Sequence, residues 1–361
     1  MAGSPAMLPL PRPHHHPDLA PRARRFGVAL ATLLGFVLLT ACGVRTETPP
    51  PVEPSPDAVE QVRGRTVADA LELAETARAL GATPAGAAEP LASVLADVAS
   101  FSDQHAEQAG GTYVSGLATP TSPVDPATTP PVAPDVTTFL SELATTTTAA
   151  LTDADAVDDG ALARLVASIA TSRAELTTRL AQAAGLPAPV VDPVADEATA
   201  PPATAPATPE PTESPSTGQQ RGSSLDAVAL AHDQAGYGFE VIAAKLSGDQ
   251  RAAARAAASS NRSDSERWAR ESGTDGTAQD PRRASYALPA GMDDPSVAVA
   301  LGRTMESAVA DAYAAAVAAA PAGERLPLVD GLRSATAAAA AWGATPVPFP
   351  GLPEQVEQPA G

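Results

Sequence analysis

Few side chains in this 361-residue sequence have the chemistry to react or to hold a metal. Of its five histidines, His14, His15 and His16 sit together near the start, while His105 and His232 stand apart. Cys42 is the only cysteine, so no intramolecular disulfide can form and packing alone must stabilise the fold. A Gly-rich phosphate loop, a cysteine ligand set and a Ser-His-Asp arrangement are all missing, and the single lysine, Lys245, has Ile242 where an SxxK pattern needs serine. His232 lies within an apolar stripe. The plainer reading is a core histidine whose ring nitrogens are satisfied by backbone or by a carboxylate such as Glu306. The functional reading is a remnant metal or proton site made of His232, Glu306 and Glu266. His105 continues the stripe of Val94, Val98 and Phe101 and reads the same way. No catalytic residue, metal ligand set or cofactor is assigned.

The position of Cys42 says more. Arg22, Arg24 and Arg25 precede an uncharged run from Phe26 to Ala41. As a helix that run spans about 24 Å, short for a hydrocarbon core of about 30 Å. A basic segment followed by a short apolar one is the pattern of an export signal. The run ends Leu39-Thr40-Ala41-Cys42-Gly43, which resembles a bacterial lipobox. The resemblance implies that residues 1–41 are a lipoprotein signal peptide cut before Cys42. The thiol then carries lipid and anchors the exported chain to the outer face of the cytoplasmic membrane. An uncleaved transmembrane anchor is the alternative. Arg24-Arg25-Phe26 lacks the usual one-residue gap of the twin-arginine route, and the choice between that route and the general one stays open. Residues 42–56 then read as a Pro-rich tether.

The charge narrows the partners. The sequence carries −19 at neutral pH. Residues 1–41 contribute four arginines and Asp18, which leaves −22 from Cys42 onward. Such a surface repels phosphate backbones, and no basic cluster with interleaved aromatics reverses this, so nucleic acid is excluded as a partner. An acidic body is not drawn to anionic lipid either, so membrane attachment has to come through the lipid on Cys42.

Apolar spacing places the remaining residues on helices. The 38 prolines crowd into residues 1–21, 49–56, 120–134 and 187–215, leaving two helix-compatible blocks. In the block 57–186, Asp57 with Glu60 opens a helix carrying Val59, Val62, Val67, Leu71, Ala74 and Ala77. Three more follow, with Leu91–Phe101, Phe139–Leu151 and Leu162–Leu180 as their apolar faces. In the block 223–345, Leu225, Val228, His232, Ala235, Phe239, Ile242 and Leu246 step by three and four without a break. A second helix runs from Asp249. Asp294-Pro295 opens a third with Leu301, Met305, Ala308 and Ala312, and the fourth carries Leu328, Leu332, Ala335, Ala339 and Trp342. With no period-two runs, the fold class is all-α: two four-helix bundles joined by a disordered Pro/Thr/Ala-rich linker over 187–222, with a Pro-rich tail over 346–361.

The second block has a relative. The stretch 231–238 (AHDQAGYG), Asn261-Arg262, residues 286–289 (YALP), Glu306 and residues 348–351 (PFPG) resemble a ferritin-like domain of unknown function found in exported actinobacterial proteins. The resemblance covers about 223–352 and implies that this second bundle is ferritin-like. In those relatives an acidic residue precedes the first-helix histidine and a histidine precedes the second-helix arginine; here Ala231 and Asn261 stand there. A ferritin-type di-iron centre needs two Glu-x-x-His pairs inside one bundle. Each block has one histidine, with Ala229 and Ser102 at the places three residues before, so His232, Glu306 and Glu266 would be at most the remnant of such a site. The expectation is a non-catalytic structural or interaction module of the cell envelope with an unidentified protein partner. The alternative is a degenerate ferritin-like protein that binds a metal or small ligand.

Overall fold

The computed structural model describes residues 55–114, 135–192 and 215–356. The expected signal peptide, Cys42, most of the tether, the central part of the linker and residues 357–361 lie outside these. Among the described residues every regular element is a helix: α1 (Ala58–Gly81), α2 (Leu91–Gln108), α3 (Val136–Ala156), α4 (Gly160–Ala184), α5 (Pro215–Lys245), α6 (Gly248–Ser272), α7 (Pro295–Ala319), α8 (Leu326–Ala341) and the short α9 (Pro353–Val356). None of them is long and apolar enough to cross a membrane.

Capping chemistry sets several starts. Asp57, Asp135, Asp159 and Asp294 each accept a hydrogen bond from a first-turn backbone N–H, as at Glu60 N (2.8 Å) and Leu162 N (2.9 Å). Gly185 and Gly273 stop α4 and α6 in the left-handed conformation. The buried stripe of α5 is the expected one throughout. On α1 the expected Leu71 is 44% exposed, whereas Leu73 is fully buried. On α7 the expected Ala308 faces outward and Val309, Tyr313 and Val317 face in. Runs of alanine explain these errors, because a helix with methyl groups on every face has a weak amphipathic signal.

The two blocks share one core. In the first, α1 packs on α2 and α3 on α4; in the second, α5 packs on α6 and α7, and α7 on α8. Helix α4 joins them, packing on α2 and α3 and also on α7 and α8. Its residues 166–173 are all buried, so it is enclosed on every side. Val166 and Ala170 belong to the same apolar cluster as Phe239, Val309 and Val317. At the junction Arg325, 2% exposed, donates to Ala154 O and Asp155 O (both 3.2 Å), and Asp155 accepts from Arg325 N at 2.7 Å. The last carbonyls of α3 have no partners within their own helix, and Arg325 supplies them from the other block. The expected all-helical class holds, and the two blocks, expected as separate bundles, meet in one continuous apolar cluster. Within the span expected as linker, 187–222, Val191 is buried and its carbonyl accepts from Arg333 (2.7 Å), and α5 begins at Pro215.

The expected tail is a strap for most of its length. Pro348 O lies 2.7 Å from His105 Nε2, and Pro350 O accepts from Ser168 Oγ at 2.7 Å. Phe349 and Leu352 bury themselves against Ile169, and the Phe349 ring meets His105 edge-on at 5.3 Å. The strap and the Arg325 junction thus both fasten the second block to the first.

Candidate functional site

An imidazole inside an apolar helix stripe must find partners for both nitrogens. The α5 stripe turns His232 toward α6 and α7, and the ring is 6% exposed. Its Nδ1 lies 2.7 Å from Asn261 Oδ1, and its Nε2 lies 2.8 Å from the hydroxyl of Tyr313. The Asn261 amide nitrogen donates to Ala257 O and to Glu306 Oε1, both at 3.0 Å, which leaves its Oδ1 as an acceptor. Nδ1 therefore carries the proton, and Nε2 accepts from the Tyr313 O–H. Trp268 Nε1 donates to the same phenol oxygen at 2.8 Å. The result is one directional chain: Trp268 to Tyr313 to His232 to Asn261 to Glu306. Burial holds His232 below the usual histidine range and keeps it neutral, as the chain requires. Burial raises Tyr313 to about 12.

Glu306 ends the chain. It is 4% exposed, its Oε1 accepts from Asn261, and its second oxygen has no partner among the described residues. Burial, reinforced by the nearby Asp264 charge and opposed by the Asn261 bond, lifts its carboxyl to about 7. It lines a cleft of about 630 Å³ whose floor includes His232, Asn261 and Tyr313 and whose walls are α6 and α8. At the rim Asp264 pairs with Arg267 at 2.9 Å and Asp330 pairs with Arg333 at 3.3 Å.

Of the three residues expected to form a site, the structure brings His232 and Glu306 together through Asn261 and leaves Glu266 out. Glu266 is 62% exposed and reaches only Arg270, at 3.8 Å. It stands five residues beyond Asn261, about 140° round the helix at 100° per residue. Trp268 stands seven beyond Asn261 and Tyr313 seven beyond Glu306, each nearly in register with its partner, so spacing alone could have found them.

The other motif residues build a clamp beside the site. Asp233, 5% exposed, accepts from Arg262, from Tyr286 OH at 2.5 Å and from Arg283 N at 3.0 Å, fastening the 273–294 loop to α5. A side chain at Gly236 would meet Arg262 at 2.9 Å and one at Gly238 would strike Met305, so these glycines serve close packing. His105 is a core residue. Burial and the Arg173 charge push it down to about 3, although the bond to Pro348 opposes them.

The donor set does not fit a ferritin-type di-iron centre. Both His232 nitrogens are engaged, Glu306 is the only carboxylate beside it in the chain, and no group of three or more His, Cys, Asp or Glu among the described residues could hold a metal ion. Histidine ligation would require breaking the bond to Tyr313 or to Asn261.

No curated protein and no solved structure matches the chain. Residues 224–354, about a third of the sequence, match a protein family described as "Domain of unknown function (DUF4439)", and that span holds the cleft, the clamp and the strap.

Proposed function

We propose that this chain is a lipid-tethered protein of the cell envelope that performs no catalysis and holds a small ligand in the cleft between α6 and α8. Tethering rests on the lipobox-like residues 39–43 after a short apolar run, which favour the outer face of the cytoplasmic membrane. A ferritin-like bundle for the second block is supported by its motifs and by the packing of α5 on α6 and α7 and of α7 on α8. Of the two roles open to the sequence, structural module or ligand binder, one observation favours the second. Glu306 is mostly buried, yet its second oxygen accepts no hydrogen bond among the described residues and is not enclosed, so it opens on the cleft that the side chain lines. A mostly buried carboxyl that keeps one oxygen open to a cleft is suited to meeting a ligand there, whereas packing alone gains nothing from an ionisable group whose burial costs free energy.

Two variants test the two halves. Cys42→Ser is expected to abolish acylation and move the protein out of the detergent phase; a membrane-bound variant at full precursor mass would replace the lipid with a transmembrane anchor. Ala338→Phe fills the cleft. A thermal-shift screen of small molecules is expected to yield ligands that stabilise the wild type and not this variant, and a screen yielding none overturns the binding role.

A further inference from the structure

We propose that the cleft receives an elongated aliphatic amine whose ammonium group seats against Glu306, an inference that rests on the binding role just stated. The shape indicates the length. The cleft is lined from residue 253 to 267 on α6 and from 327 to 342 on α8, a run of about 20 Å on each helix at ~1.5 Å per residue. Ala253, Ala256 and Ala257 on α6 and Ala335, Ala338 and Ala341 on α8 line it, and such small side chains leave an elongated, mostly apolar space that suits an alkyl chain.

Charge indicates the head group. From α5 the site is faced by neutral His232, from α6 by Asp264 and Arg267, from α7 by Glu306 and the phenol of Tyr313, and from α8 by Asp330. The nearby cations are already committed, Arg267 to Asp264 and Arg333 to Asp330. Glu306 alone lacks a cationic partner. An ammonium ion would donate to its unpartnered oxygen and offset the loss of hydration that raises its carboxyl to about 7. Tyr313 and Trp342 line the same space, and aromatic rings attract cations. A net charge of −19 over the whole sequence draws cations toward the surface.

The test is isothermal titration of the full-length, detergent-solubilised protein with 1-aminohexane and with 1-hexanol. The amine is expected to bind at least tenfold more tightly than the alcohol at pH 8. Its affinity should be about tenfold weaker at pH 6, where the carboxyl is mostly protonated. Glu306→Gln should bind amine and alcohol alike with no pH dependence, and Ala338→Phe should bind neither. Equal binding of amine and alcohol by the wild type would overturn the amine while leaving the cleft a binding site. A preference for amine that survives in Glu306→Gln would overturn the seat at Glu306. Failure of both probes, with no cleft-dependent ligand in the screen, would overturn the inference together with the function beneath it. The amine–alcohol contrast and the pH dependence are read on the wild type, so the test stands even if a variant fails to fold.

Discussion

Burial acts in opposite directions on the two kinds of ionisable side chain in this core. It holds His105 and His232 neutral below the usual histidine range and lifts Glu306 above the usual carboxylate range. For Glu306 the folded value, about 7, lies above the ordinary 4.5, so the native state binds the proton more tightly than the unfolded chain. Its contribution to stability is fully present below pH 4.5 and is lost as the pH rises through 7. The total is about 3 kcal/mol. His105 has the reverse sign: its contribution is present above pH 6.5 and lost as the pH falls toward 3. Comparing wild type with Glu306→Gln cancels the histidines. Urea unfolding from pH 4.5 to 8 should show the wild type losing stability relative to the variant; parallel curves would mean that the carboxyl is not shifted. His232 was legible from its helical stripe, and Glu306 as a carboxylate within the motifs of the resemblance. Asn261 was visible only as a departure from the related pattern, and its place at the hub needed the structure.

At the scale of elements the 346–352 strap is the least legible piece, because proline-rich sequence has no period and its hydrogen bonds go to side chains distant in the chain. Its fit depends on Gly351. That residue has a φ of +78°, and a methyl group there would lie 2.7 Å from Ala314 Cβ and 3.0 Å from Ala310 O. Gly351→Ala should destabilise the protein by about 2–4 kcal/mol, combining left-handed strain with overpacking. The measurement is the denaturant midpoint; a change within 0.5 kcal/mol, the ordinary range for surface substitutions, would mean that the strap is not packed against α7. The helices themselves were legible where large apolar residues or caps mark them, as on α5 and at Asp57. On α1 and α7 alanine blurred the face.

For the whole molecule the decisive feature is α4, buried on all sides and shared by both blocks. A core continuous from Val166 to Val317 implies that neither block unfolds alone. Calorimetry of the protein should give one transition with equal calorimetric and van't Hoff enthalpies. Two resolved transitions would restore a pair of independent bundles.

The all-helical class, the caps, the α5 stripe and the absence of a second thiol or a paired histidine were determined by local sequence. Each depends on residue spacing along one element or on a count of residue types. The docking of the blocks, the strap and the meeting of Asn261 with Glu306 were decided only by tertiary structure. An amphipathic pattern specifies that a face is buried without naming what buries it. A side chain's pKa and partners depend on atoms brought close by the packing of other helices.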